Sequence, residues 1–240
     1  MQGAMLNTVT ASRPFIKICC IASLAEAQLA VAAGASALGL VSAMPSGPGV
    51  IADNLIAQIA AAVPKHIKSF LLTSRQTALT IAEHHRFCKS TTLQLVDEVS
   101  LVELRQLRQM LPDTELVQVI HVVNEDSVQQ ALGLAQAVAN GAPLVDMLLL
   151  DSGNPALPVK ELGGTGRTHN WALSRQIVEQ SPIPVLLAGG LNTANAAKAI
   201  QTVRPHGLDI CSGVRTGGDL DAGKLRDFLA VVAHAMKACL

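Results

Sequence analysis

Three polar side chains stand where apolar, strand-like runs give way to loops. Cys19 lies at the end of the first run, Asp151 directly follows the sixth, and Asp209 lies inside the eighth. A carboxyl group partly shielded from water can keep a proton to donate, and a thiol beside positive charge can become a working thiolate. These residue types therefore suit acid–base chemistry on a small molecule.

Each of these residues also has a purely structural alternative. Cys19 could be a small buried hydrophobic residue, and Asp151 could cap the backbone of the loop that it begins. Asp209, inside a strand, needs a partner, and Lys17 is the candidate. Because side chains alternate along a strand, Lys17 shares a face with Cys19. The residues alone leave both alternatives open.

Three glycine-rich turns follow three successive strands: Gly163–Gly166, Gly189-Gly190 and Ser212-Gly213. One such turn can simply need a positive φ. Three together indicate backbone N–H groups arranged around a phosphate. We expect six residues to converge on one oxyanion: Gly164, Thr165, Gly189, Gly190, Ser212 and Gly213.

The elements that would position these residues are eight apolar, strand-like runs that alternate with eight helical patterns. The runs are almost continuously apolar, as expected for parallel strands covered on both faces. No G-x-G-x-x-G motif follows the first run, which disfavours a doubly wound sheet. The pattern predicts a single-domain (β/α)₈ TIM barrel over residues 15–240, with its active site at the strands' carboxyl ends. Residues 1–14 are predicted to be a flexible N-terminal leader. Strands are predicted at Phe15–Ile21, Ser36–Val41, Ile67–Thr73, Thr91–Val96, Leu116–Val122, Val145–Leu150, Val185–Ala188 and Gly207–Cys211.

The helical segments carry ordinary boundary signals. Ser23-x-x-Glu26 and Ser100-x-x-Glu103 are capping boxes. An apolar stripe predicts that the fifth helix runs from Val128 to Val138. The adjacent pair His84-His85 falls on the third helix, where we expect both side chains to be solvated.

Composition excludes several classes of function. The 240 residues carry a formal net charge of +0, so no basic footprint for nucleic acid or an anionic membrane exists. Mean hydropathy is +0.37, but no apolar run approaches the roughly 20 residues of a membrane span. The five cysteines, at positions 19, 20, 88, 211 and 239, have neither metal nor disulfide spacing. We therefore expect no metal, a cytoplasmic location without a secretory signal, and a small-molecule ligand.

Five ordered motifs resemble those of the phosphoribosylanthranilate isomerase family, which acts in tryptophan biosynthesis. The resemblance extends over nearly the whole chain from about Ile16, with barrel-compatible spacing. The motifs are Lys17-Ile-Cys19, Leu149-Leu-Asp151, Gly163–Thr168, Leu187–Asn192 and Asp209–Val214.

The resemblance implies a cofactor-free Amadori rearrangement of an aminated ribose 5-phosphate. In that family, the aspartate at the Asp151 position is the general acid that opens the ring, and the cysteine at the Cys19 position takes the C2′ proton. The aspartate at the Asp209 position holds the bridging amine, and the glycine turns hold the phosphate. We count Lys17 among the substrate-binding residues.

The chain also departs from the family pattern. Cys20 stands where the family usually has glycine. The fourth-strand motif of the family usually ends in His-Gly, whereas here it ends in Val96-Asp97. The loop Ser42–Gly49 lacks the arginine that grips the anthranilate carboxylate. Arg215 stands where the family often has glutamate. We hypothesise that Arg215 contacts the non-phosphate end of the substrate; the alternative is a solvated loop arginine.

Three functions stay open at this point. The chain could be a divergent phosphoribosylanthranilate isomerase, a related isomerase acting on a sugar phosphate with another aglycone, or a sugar-phosphate-binding barrel without chemistry. Retention of both Cys19 and Asp151 disfavours the last. In each case the expected ligand is a sugar phosphate, with neither nucleic acid nor membrane as partner and a monomer or homodimer as the assembly.

Overall fold

A computed structural model describes residues 14–139 and 141–238. Eight parallel strands close into one barrel in which β1 pairs with both β2 and β8, confirming the predicted TIM barrel. The predicted leader, 1–14, lies outside the described residues except for Pro14. The barrel strands are β1 (Phe15–Ile18), β2 (Ala37–Val41), β3 (Lys68–Thr73), β4 (Thr92–Leu95), β5 (Glu115–His121), β6 (Met147–Asp151), β7 (Val185–Leu187) and β8 (Gly207–Ile210).

One helix follows each strand and packs outside the barrel. Both predicted capping boxes provide N-caps: Ser23 accepts from the Glu26 N–H, and Ser100 accepts from the Glu103 N–H. Each cap satisfies a helix N–H that has no partner within its own helix. The helices are α1 (Leu24–Ala33), α2 (Asp53–Ala62), α3 (Ala78–Cys88), α4 (Leu101–Met110), α5 (Glu125–Ala135), α6 (Trp171–Gln180), α7 (Ala196–Val203) and α8 (Ala222–Lys237).

Two apolar layers hold the barrel together. Phe70 and Leu72 of β3 belong to the cluster that fills the barrel interior, whereas Leu71 between them packs in the larger layer between strands and helices. Alternation along a strand produces this division, since successive side chains point to opposite faces. Both faces of the sheet are therefore apolar, which explains the uninterrupted hydrophobic runs.

Several predicted boundaries move. β1 ends at Ile18 instead of Ile21, because Cys20 takes a left-handed φ of 62° that cannot continue a strand. Asp151 is the last residue of β6 rather than the first of the loop. α5 ends at Ala135, and Val138 belongs instead to a short antiparallel pairing with Pro143.

One predicted surface residue is buried. The expectation that His84 is solvated is wrong, because only 3% of its surface is exposed. The helix face that carries it packs towards α2 and β3. Ile81 and Cys88, three residues before and four after, are buried on the same face and were an available signal. Among the described residues no helix is long and apolar enough to cross a membrane.

The barrel closure gives a test of packing. A Cβ at Gly207 of β8 would overlap the carbonyl oxygen of Phe15 on β1, whereas one at Gly133 of α5 would meet open space. We expect Gly207→Ala to lower the free energy of unfolding by about 1–3 kcal/mol through overpacking. Gly133→Ala should raise it by roughly 0.5–1 kcal/mol, because alanine is the better helix former.

Urea denaturation of both variants and the wild type measures these changes. Equal stabilities for the two variants would contradict the close approach of β1 and β8 at Gly207.

Candidate active site

A cavity opens at the carboxyl ends of the strands, where the prediction placed the site. Eight of the predicted site residues line it, and Lys17, Gly213 and Arg215 do not. The eight come from the ends of four different strands and the loops that follow, so only barrel closure brings them together. They are Cys19, Asp151, Gly164, Thr165, Gly189, Gly190, Asp209 and Ser212.

Lys17 and Asp209 form a buried ion pair beside this cavity. Lys17 Nζ lies 2.8 Å from Asp209 Oδ2, and the two residues are register partners on β1 and β8. Burial alone would lower the pKa of Lys17, but the Asp209 carboxylate and the Cys19 sulfur outweigh it and the pKa is raised. Burial raises the pKa of Asp209, and the Lys17 ammonium opposes that rise.

The pair leaves one oxygen of Asp209 available. Among the described residues, nothing donates a hydrogen bond to Asp209 Oδ1, although the atom is buried. A buried carboxylate oxygen without a partner is costly. Since Asp209 lines the cavity, this oxygen is suited to accept a hydrogen bond from a ligand.

Cys19 depends on a glycine that the sequence analysis missed. A Cβ at Gly39 of β2 would lie 2.7 Å from Cys19 Sγ and 3.0 Å from Lys17 Nζ. Gly39 thus makes room for both side chains inside the barrel. A glycine within the apolar run Ala37–Val41 is itself a signal of close approach, and it was available in the sequence.

Asp151 has one tethered and one less constrained oxygen. Its Oδ1 accepts hydrogen bonds from the backbone N–H of Ser152, at 2.7 Å, and from Ser152 Oγ. A Cβ at Gly163 would lie 2.5 Å from Oδ2, so only glycine leaves that oxygen its space. The carboxyl group is oriented by its own loop and faces the cavity.

The glycine turns have the backbone conformation that an anion site needs. Gly164, Gly189 and Gly190 all have positive φ, between 60° and 82°. Gly190 packs so closely on the backbone of Arg167 that any Cβ there would overlap it. Two of the three turns are therefore fitted against each other.

The third turn divides its roles. Ser212 lines the cavity and begins a short 3₁₀ helix. Gly213 does not line the cavity; a side chain there would overlap the carbonyl oxygen of Leu191. The structure thus gives Gly213 a packing role that the sequence pattern did not distinguish from phosphate binding.

Two loops meet over the cavity mouth. Ser46 Oγ donates a hydrogen bond to the carbonyl of Lys160 at 2.5 Å, and Pro48 packs on Gly164. These contacts join the loop after β2 to the long loop after β6. No lysine or arginine is among the cavity-lining residues of the described chain.

Arg215 is used elsewhere. Its guanidinium contacts Glu26 at 2.9 and 3.0 Å and donates to the carbonyl of Cys20 at 2.5 Å. Only about a tenth of each charged side chain is exposed. The hypothesis that Arg215 contacts the substrate finds no support in this placement, because the guanidinium ties α1 to the loop after β1.

Glu26 completes this clamp. It also accepts hydrogen bonds from the backbone N–H groups of Ala22 and Leu220. Burial by itself would raise the pKa of the Glu26 carboxyl, but Arg215 and these two donors outweigh burial and lower it. The sequence identified Glu26 only as a capping residue, since its main partner is 189 residues away.

Two further thiols border the cavity. Cys20 and Cys211 both line it beside Cys19. The neighbouring thiols of Cys19 and Cys211, together with burial, raise the pKa of Cys20. The pKa of Cys211 is lowered by the neighbouring Cys20 thiol, aided by Arg215 and opposed by burial. The sequence did not single out Cys211.

Gln94 also belongs to the cavity, although the sequence pattern did not identify it as a site residue. It is buried in β4 and lines the cavity, and its Oε1 has no hydrogen-bond partner among the described residues. A buried polar atom of this kind indicates a ligand contact. The neighbouring Asp97 is instead paired with Lys160 at 2.6 Å.

Comparison with known proteins gives a family match over most of the chain. The profile of "N-(5'phosphoribosyl)anthranilate (PRA) isomerase" matches residues 16–231. N-(5'-phosphoribosyl)anthranilate isomerase of Methanosarcina acetivorans is 30% identical over 224 residues, covering 90% of this chain and 92% of the relative. The isomerase of a Synechococcus strain is 34% identical over 221 residues, covering 90% and 89%.

A solved structure shares the fold. A phosphoribosyl anthranilate isomerase crystallised with reduced 1-(o-carboxyphenylamino)-1-deoxyribulose 5-phosphate superposes with a TM-score of 0.72. It is 23% identical and covers 91% of this chain and 98% of its own.

The Arg215–Glu26 clamp predicts a stability effect. We expect Glu26→Gln to lower the free energy of unfolding at neutral pH by about 2–3 kcal/mol. Removing one partner of a buried ion pair costs roughly 3–5 kcal/mol. We expect a smaller loss here because both charged side chains are slightly exposed to solvent. Because the folded-state pKa of Glu26 is depressed, the stabilisation is present above its ordinary value of 4.5. It is lost as the pH falls through the lowered value.

Denaturant midpoints of wild type and Glu26→Gln across this pH range measure the difference. Arg226→Ala is the control, since Arg226 is 78% exposed and should change stability little. A difference between wild type and Glu26→Gln that stays constant down to low pH would contradict the clamp.

Proposed function

The chain belongs to the N-(5′-phosphoribosyl)anthranilate isomerase family, and we propose that Asp151 and Cys19 perform the proton transfers of its reaction. The activity is that of an aldose–ketose isomerase. One observation carries the assignment of roles: a carboxyl group, a thiol and the phosphate-type glycine turns all face one cavity at the barrel's carboxyl end. We propose that this cavity is the active site.

Phosphate binding anchors the substrate in this proposal. Backbone N–H groups of the turns at Gly164, Gly189-Gly190 and Ser212 supply donors without a charged side chain. The positive φ angles of the glycines support such an arrangement. Binding energy from the phosphate then orients the sugar for the reaction at its other end.

Asp151 acts first, as general acid. Its proton passes to the furanose ring oxygen, the bond between that oxygen and C1′ breaks, and the lone pair of the bridging nitrogen forms a protonated Schiff base. The contacts of Ser152 to Oδ1 support this role, since they orient the carboxyl group.

Cys19 then acts as general base. Its sulfur takes the proton from C2′, the electrons of that C–H bond move to the Schiff base, and an enolamine results. Tautomerisation of the enolamine gives the ketose. The Lys17 ammonium lies close to this sulfur in the barrel interior and interacts with it.

Asp209 positions the bridging amine between these two groups. Its Oδ1 would accept the amine N–H, while Oδ2 stays with Lys17. Lys17 therefore serves the substrate through Asp209 and does not contact it, because the lysine is fully buried and does not line the cavity.

The anthranilate end is where this chain differs from the expectation. With no lysine or arginine lining the described cavity, we propose that the Nε2–H groups of Gln94 and backbone N–H groups of the loop 42–49 donate hydrogen bonds to the carboxylate. Charge-assisted hydrogen bonds of about 1.5–3 kcal/mol each make this feasible. The same observation favours a different aglycone as the alternative substrate.

We propose a reducing cellular compartment for this enzyme. The four cysteines in the described part of the chain are unpaired, which suits a reducing compartment such as the cytoplasm. A monomer or homodimer stays a prediction.

The acid–base pair is tested by steady-state kinetics with phosphoribosylanthranilate. We expect Asp151→Asn and Cys19→Ser each to lower kcat about 100-fold or more, since a positioned acid or base contributes roughly 10²–10⁴. KM should change little, because the phosphate contacts persist. Rescue of a tryptophan auxotroph lacking the isomerase should follow kcat.

Asp113→Asn, at an exposed loop position, is the matched control and should keep wild-type kinetics. Near-normal turnover in either variant removes that residue from the mechanism. A wild type that neither rescues the auxotroph nor turns over the substrate, yet isomerises another aminated ribose 5-phosphate, would establish the different aglycone.

The phosphate site is tested with inorganic phosphate as competitive inhibitor. We expect Gly190→Ala to raise its inhibition constant about tenfold or more, because a Cβ there displaces the Arg167 backbone and the turn it supports. Gly133→Ala on α5 should leave the constant unchanged. A crystal structure in sulfate with no anion between these turns would refute the phosphate assignment.

A further inference from the structure

Outside the active site, three side chains with metal-binding atoms converge between α2 and α3. Asp53 is the first residue of α2, and His84 and Cys88 lie one turn apart on α3. Residues at i and i+4 share a helix face. One ligand atom from each residue lies within 4.8 Å of the others, and none of the three lines the barrel cavity.

The imidazole of His84 is held but incompletely bonded. Its Nδ1 lies 3.3 Å from Thr73 Oγ1. Its Nε2 lies 3.1 Å from Asp53 Oδ1 but has no hydrogen-bond partner of normal geometry among the described residues. The side chain is 2% exposed. Because buried polar atoms usually have a partner, this ring nitrogen beside a carboxylate is a candidate ligand atom.

Metal binding requires the unprotonated forms of the two buried ligands. A neutral imidazole offers the lone pair of a ring nitrogen, and a thiolate is the form of cysteine that binds metal. Binding would therefore release the Cys88 thiol proton and weaken as the pH falls.

We propose that Asp53, His84 and Cys88 bind one Zn²⁺ ion. Nitrogen, oxygen and sulfur donors in one site are the ligand types that zinc accepts. Three protein ligands would leave a fourth coordination position for water, and Asp53 and His84 themselves line a surface depression through which water could reach the ion.

The spacing permits this geometry. Zinc bonds of about 2.0–2.3 Å in a tetrahedron put ligand atoms roughly 3.3–3.8 Å apart. The upper limit of 4.8 Å between the three atoms leaves small rotamer adjustments to be made. Asp53 is 37% exposed and can move, whereas the two α3 ligands are buried.

Thr73 and Arg75 complete the surroundings. Thr73 orients the His84 ring through Nδ1, as supporting residues do in zinc sites. Arg75 borders the depression, but its Nη1 is engaged by the carbonyl of Thr80 at 3.1 Å. A bound ion would join α2 to α3 and so stabilise the outer layer of the barrel without touching the active site.

The test is a zinc titration of metal-free protein against a chromophoric chelator, combined with thermal unfolding. We expect one Zn²⁺ per chain, a Tm that rises with added zinc, and weaker binding as the pH falls. Co²⁺ in place of zinc should give the sulfur-to-metal charge-transfer absorption of a thiolate ligand.

Three variants locate the ion. Cys88→Ser should abolish the charge-transfer band. His84→Ala should weaken zinc binding by at least roughly 10–100-fold, because the loss of a residue that only supports a metal ligand already costs that much. Asp53→Asn changes a partly exposed carboxylate and should fold normally, so weaker binding there cannot be attributed to misfolding. His234→Ala, an exposed histidine of α8, is the control.

Two outcomes overturn the proposal. The first is wild-type protein that binds no zinc. The second is binding that persists unchanged in Cys88→Ser and Asp53→Asn, which would assign the metal to the cysteines around the barrel cavity instead. Neither outcome bears on the family assignment, because that rests on the sequence comparisons, and the roles proposed for Cys19 and Asp151 are tested separately by their own variants.

Discussion

The buried pair of Lys17 and Asp209 is the interaction on which the site depends. It spans the seam where β1 meets β8 and the barrel closes, and the two residues are register partners there. Removing either would leave an uncompensated buried charge, a loss of several kcal/mol. The same pair sets Cys19 next to an ammonium and turns the second oxygen of Asp209 towards the cavity. A stability element of the seam is thus also the support of the proposed chemistry.

Glycines shape the site as much as its reactive groups do. Gly39 leaves room for the Cys19 sulfur, Gly163 for the Asp151 carboxylate, and Gly190 lets two loops approach each other. In each case a Cβ would occupy space that a functional group needs. Close packing inside proteins makes such positions intolerant of even one methyl group.

The distribution of cations distinguishes this barrel from the pattern its motifs resemble. Arg215 binds Glu26 and the carbonyl of Cys20, so it supports a residue whose left-handed φ costs roughly 1–2 kcal/mol. Cys20 stands where the family has glycine, which adopts that φ without strain. The two departures from that pattern are therefore in direct contact with each other, and no cation is among the described residues that line the cavity.

The sequence by itself determined the barrel, the order and approximate positions of its strands, and most of the cavity-lining residues. Strand and helix periodicities are local properties, and parallel closure brings every strand's carboxyl end to one face. Three features were decided only by tertiary structure: the choice between Lys17 and a ligand as the partner of Asp209, which the sequence had left open, the ion pair of Arg215 with Glu26, and the burial of His84 beside Asp53. The first two join residues 192 and 189 positions apart. Which distant charges meet depends on barrel register and helix rotation, and neither leaves a periodic signal in the chain.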